Sequence, residues 1–147
     1  MDARERLSGA VFDSFEAMML TYADEAVRAA ATKGEKLDFS AESLAGVERC
    51  LAATVDVDGP LTGEDLDYAT RLWGAYLGEV VRRRFGGEWQ MSQYPFGAVA
   101  VPTLEVRGSN LYPMMKVYRR LTIGPQENLT DFHAMIAKRL EPPTSIQ

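Results

Sequence analysis

The chain has 147 residues, 46% of them hydrophobic and 25% charged, with a net charge of −5. That length and apolar content suit one domain, residues 1–147, with a real core. The acidic balance argues against a nucleic-acid partner, which needs a basic face, and the lone thiol of Cys50 excludes an internal disulfide and is compatible with a reducing compartment.

The first twenty residues, MDARERLSGAVFDSFEAMML, mix acids and bases and lack the apolar stretch and cleavage site of a secretory leader. No run approaches the roughly 20 apolar residues that span a bilayer, so no membrane partner and a cytoplasmic location are expected. Phe12, Phe15, Met19, Tyr22, Ala26 and Ala29 recur at spacings of three and four, which predicts one helical stripe ending near Gly34. Packing inside a small bundle is one use of that stripe; pairing with a second copy of the chain is another.

A second helix is predicted from Ser40 as N-cap, with Leu44, Val47 and Leu51 as its apolar face. Asp56-Val57-Asp58-Gly59-Pro60 should break it. Thr62 then reads as the cap of a third helix, with Asp65 at the reciprocal capping-box position. The stripe Leu66, Ala69, Trp73, Tyr76 and Val80, flanked by Leu72, Leu77 and Val81, makes this helix central to the domain. Gly74 and Gly78 lie one turn apart and predict a notch where another backbone or a ring can approach. Gly86-Gly87 closes the helix.

Beyond Gly87 the period changes. Trp89 to Gln93 reads as extended, and 98–101 and 104–106 as strands interrupted by Pro102. Arg107-Gly108-Ser109-Asn110 reads as a turn, with Leu111-Tyr112 returning as a short strand. Pro113 can open the next helix, to about Leu121, because proline is tolerated in a first turn. Gly124-Pro125 breaks the chain, and Asn128, with Asp131 three residues on, caps a last helix whose inner face is Leu129, Phe132, Ile136 and Leu140. Pro142-Pro143 stops it, and 141–147 are expected to fray. The class is α+β: N-terminal helices packed on a small antiparallel sheet, with two shorter C-terminal helices.

Few residues carry recognisable chemistry. One Cys and one His, far apart, do not make a zinc site, and Asp56-Val57-Asp58-Gly59 lacks the later ligands of a calcium loop; no metal or cofactor is expected. Cys50 reads as a buried small thiol and His133 as partly exposed. Glu79, Glu88 and Glu105 would support acid–base work if two of them converged. Against that, Glu79 has cationic candidates on its own helix, Arg82 and Arg83, and on the later one, Lys116, Arg119 and Arg120. Arg82-Arg83-Arg84 complements a helix C-terminus and, with Lys116, Arg119 and Arg120, could form one basic face. Trp89, Tyr94 and Phe96, beside Pro95 and Gly97, would suit partner recognition if exposed.

The stretch GAYLGEVVRRRFGGEW, followed by LYPMMKVYRRLTIG and NLTDF, resembles an uncharacterised bacterial domain family with the pattern GxYxGEVxRRxxGGxW and then PxxKVxxRLxxG. The motif match spans residues 66–136, and LDFSAESL extends the family-like region to about 37–140, leaving 1–36 as an N-terminal helical element. The resemblance implies that Gly78, Glu79, Arg83, Gly87, Trp89, Pro113, Lys116, Val117 and Arg120 belong to a recurring pattern. It implies no catalytic residue, since no activity is established for the family.

Two readings follow. In the first, the chain is a non-catalytic interaction domain of adaptor, inhibitor or immunity-like kind, which binds a protein partner near Gly86-Gly87 through Trp89, Tyr94, Phe96 and Arg83. In the second, a pocket built from Glu79, Arg83, Lys116 and Arg120 serves an enzyme or a small-ligand binder. Both expect Glu79 to meet Lys116 and Arg120 and so join the two halves of the molecule.

Overall fold

The computed structural model describes residues 2–95, 97 and 99–140. Six helices surround a three-stranded antiparallel sheet, in the order α1 (Ala3–Ser8), α2 (Phe15–Ala31), α3 (Leu44–Asp58), α4 (Gly63–Phe85), β1 (Glu88–Gln93), β2 (Ala100–Val106), β3 (Ser109–Leu111), α5 (Pro113–Thr122) and α6 (Leu129–Leu140). A 3-10 turn, Pro125–Glu127, joins the last two helices. The expected stop at Pro142-Pro143 and the expected frayed tail lie outside the described residues.

The N-terminal third holds two helices where one stripe was expected. Ser14 is extended and its hydroxyl accepts the Ala17 N–H, so α2 begins at Phe15 and Phe12 belongs to the preceding connection. The buried positions of α2 are Met19, Tyr22, Ala23, Glu25, Ala26 and Ala30. Met19, Tyr22 and Ala26 of the expected stripe are thus buried, and α2 packs against α4 and β1 within the same chain.

Two capping expectations are also corrected. The chain from Ser40 to Ser43 is a turn, in which the Ser40 hydroxyl takes the Ser43 N–H, and α3 starts at Leu44. Thr62 precedes α4 without a side-chain cap, and Asp65 is drawn away from any capping box by Arg4, 2.6 Å from its carboxylate. Leu44, Val47 and Leu51 are buried as expected. Helix α3 continues through Asp56-Val57 to Asp58 and ends where Gly59 turns to a φ of 74°.

Helix α4 is the spine of the fold. Every residue from Leu72 to Val81 is buried. The glycine notch accepts both kinds of neighbour. A Cβ on Gly74 would lie 2.9 Å from the Met114 Cα, so the first turn of α5 rests on bare backbone. A Cβ on Gly78 would overlap the six-membered ring of Trp89, with Pro113 close behind at 3.2 Å.

Strand β2 runs unbroken through Pro102, where two strands were expected. β3 pairs with β2 only from Leu104 to Val106, so at Pro102 the strand has β1 as its one neighbour and tolerates the missing donor. Arg107 and Gly108 both take positive φ, 51° and 83°, which makes the two-residue hairpin turn whose twist matches the flanking strands. The Asn128 side chain accepts the Asp131 N–H at 2.8 Å and donates to the Asp131 carboxylate at 2.9 Å, capping α6.

Candidate functional site

Glu79 lies at the crossing of α4 and β1 and is fully buried. It sits in an apolar run because three donors meet it there. Arg82, one turn on, grips both oxygens at 2.7 and 2.9 Å; Arg83 reaches one from its Nε at 3.3 Å; the Trp89 indole N–H donates to the other at 2.8 Å. Burial pushes the carboxyl upward, but the hydrogen bonds from Arg82, Trp89 and Arg83 outweigh it and hold Glu79 below the usual carboxylate range. An acid so held is a fixed anion and a poor proton carrier near neutral pH.

Lys116 and Arg120 pair elsewhere, which corrects the expected four-residue cluster. Lys116 and Arg119 both bind Glu127 in the 3-10 turn, at 3.2 and 2.9 Å. Arg120, buried, binds Glu48 on α3 at 2.7 Å. The other Glu48 oxygen accepts the Leu129 N–H at 2.8 Å, so one side chain ties α3 to α5 and to the first turn of α6. Five cations of the anticipated basic face, Arg82, Arg83, Lys116, Arg119 and Arg120, are thereby divided among Glu79, Glu127 and Glu48. Helices α4 and α5 do meet, through Gly74 and Met114 rather than through charge.

Nor does Glu79 pair with the sheet's acids. Glu88 and Glu105 lie opposite each other in the β1–β2 register, while Glu79 is held by its arginines. Cys50 is buried, and burial raises its thiol above the ordinary value. His133 was expected to be partly exposed; it is buried, with its ring 6.0 Å from that of Phe85. Among the described residues no three His, Cys, Asp or Glu side chains gather as a metal site.

The three aromatic anchors separate. Trp89 is buried on the Gly78 notch, so its role is packing, a correction to its expected place on a partner surface. Phe96 lies outside the described residues. Tyr94 is half-buried and meets Tyr112 edge-on at 4.9 Å. It opens onto a groove of about 410 Å3 between β3, α5 and α6. Tyr94, Tyr112, Met115, Phe132 and Met135 form its apolar walls; Lys116, Arg119, Arg139 and Glu127 supply its charge.

A second cavity, of about 450 Å3, opens where the segment before α3 meets α4 and α6. Arg83 lines it and lies 3.5 Å over the Phe39 ring. Phe39 is held at a φ of 66°, and its N–H donates to the Tyr76 hydroxyl at 2.8 Å. A bulky residue there costs on the order of 1–3 kcal/mol. Comparison with family models, curated proteins and solved structures returns no significant match.

The sequence offered no sign of Glu48, Glu127 or Phe39. Glu48 and Glu127 are ordinary acids on polar faces, and only the packed fold selects their partners. The strain at Phe39 has no counterpart in residue type, since aromatic residues seldom adopt positive φ.

Proposed function

We propose that this chain is a non-catalytic binding domain whose groove between β3, α5 and α6 receives an acidic segment of a protein partner. One observation carries the reading: a trough walled by Tyr94, Tyr112, Met115, Phe132 and Met135 is rimmed by three cations, on a chain whose net charge is −5. Apolar walls favour a buried aromatic or aliphatic anchor, and methionines adapt to its shape. Lys116, Arg119 and Arg139 outnumber the single carboxylate Glu127, so acidic flanks complement the rim. Glu127 itself is held below its ordinary value by the hydrogen bond from Lys116 and the charge of Arg119, which suits it to organise cations rather than exchange protons.

The test is a display selection of peptides with one apolar anchor flanked by acidic or by basic residues, followed by calorimetric titration. Acidic peptides should be selected and should lose affinity as salt rises. Met115→Ala combined with Met135→Ala should weaken them by about tenfold or more, or ~1.4 kcal/mol. Arg119→Glu combined with Arg139→Glu should reverse the charge preference. Selection without charge bias, or unchanged affinity in both double variants, would remove the proposal.

A further inference from the structure

We propose that the cavity beside Phe39 is a separate site for a small molecule bearing an oxyanion, a carboxylate or phosphate group that Arg83 grips. The geometry around Arg83 has three parts. Its Nε is turned to Glu79, and its guanidinium plane lies over the Phe39 ring. Those contacts fix the plane of the fork and use one of its nitrogens. The two terminal nitrogens have no partner among the described residues. A guanidinium held in this way is pre-oriented for bidentate pairing with an oxyanion, and little rotamer freedom remains to be lost when one binds.

The surroundings are built to keep that arrangement. Phe39 holds its left-handed backbone because Tyr76 takes its N–H, and the Tyr76 hydroxyl is itself 2.6 Å from the Ser43 hydroxyl. The Phe39 and Tyr76 rings stand 4.8 Å apart. A strained bulky residue tied by a buried phenol and carrying an arginine on its ring is a pre-organised element, not a relaxed surface loop. Tyr76 and Arg83 both come from α4, so the strained segment is fixed by the most buried helix of the fold.

The cavity volume of about 450 Å3 lies within the range of small-ligand sites. Val80 and Phe39 give it apolar wall, and Ser40 and His133 add polar groups. Glu42 and Arg84, of opposite charge, share the lining, so Arg83 supplies its net positive charge and the ligand presents one anionic group to it. This site stands independently of the groove reading, because it shares none of the groove's lining residues.

The experiment is an amide and arginine-Nε NMR titration of the full chain with benzoate and, separately, with inorganic phosphate, at ionic strength matched with sodium chloride. Saturable shifts confined to residues 39–42, 80–84 and 133 are expected with at least one probe, and the comparison of the two shows which oxyanion is preferred. Arg83→Lys, which keeps the charge but loses the fork, should weaken the saturable phase by tenfold or more. Arg28→Lys, remote from the cavity, should leave it unchanged. Shifts spread over the surface arginines, no saturation with either probe, or equal affinity in Arg83→Lys would overturn the site. Should Arg83→Lys fail to fold, the wild-type shift map with both probes decides the matter alone.

Discussion

Trp89 donates its indole N–H to Glu79 across 2.8 Å while its ring occupies the space that a side chain on Gly78 would need. One residue of β1 thus makes an apolar and a polar contact with consecutive positions of α4. Packing and charge at the helix–sheet joint therefore depend on each other.

Gly78→Ala sets two effects in opposition. Alanine in place of glycine inside a helix favours folding by about 1 kcal/mol. Overpacking a closed site costs typically ~1–3 kcal/mol, and here the new methyl would coincide with ring atoms that cannot yield without displacing the sheet. The clash wins, and urea unfolding should show a net loss of about 2 kcal/mol or more. A variant as stable as the parent would show that Trp89 has an alternative seat.

Glu79→Gln removes the charge that Arg82, Arg83 and Trp89 share. Breaking a buried, hydrogen-bonded ion group costs on the order of 3–5 kcal/mol, with part retained here because glutamine still accepts a hydrogen bond. The pH dependence has a definite sign. The folded carboxyl lies below its ordinary value of about 4.5, so the stabilisation is present above that pH and is lost as pH falls through the folded value. Wild-type stability should fall on acidification below about pH 4.5, and Glu79→Gln should flatten that fall. An equally steep acid limb in the variant would place the responsible carboxylate elsewhere.

Glu48→Ala, a change on α3, should loosen α6. The substitution leaves the buried Arg120 without its partner and the Leu129 N–H without its acceptor. A loss of about 3 kcal/mol is expected from the stranded charge and the lost hydrogen bonds. Hydrogen exchange should accelerate first in the opening turn of α6. The double variant Glu48→Gln with Arg120→Met, which leaves no orphaned charge, should recover part of the loss.

Cys50 should be silent toward thiol reagents. Its side chain is 1% exposed, and burial raises its thiol. A disulfide reagent such as Ellman's should label the native protein no faster than global or local opening permits, and label it stoichiometrically in urea. Rapid native labelling would reveal an open path through α3.

Local chemistry made much of this fold legible. The Gly74–Gly78 notch, the Gly86-Gly87 stop, Pro113 at a helix start and the Asn128–Asp131 cap all act through residues a few positions apart, and the structure realises each one. Ser14 and the Ser40–Ser43 turn show the limit: several serines could cap, and tertiary contacts chose among them. The charge pairing was less legible where partners are remote in sequence. Nothing local tells Arg120 to choose Glu48, 72 positions earlier, rather than Glu79, 41 positions earlier. Trp89 looked like a surface anchor since an aromatic beside glycines suits a loop; only the notch on α4 explains why it turns inward.

Trp73 and Trp89 are the chain's two tryptophans, and both are buried. The molecule therefore carries its own optical gauge: intrinsic emission should be blue-shifted in the native state, and any event that lifts β1 from α4 should redden it before the helices melt.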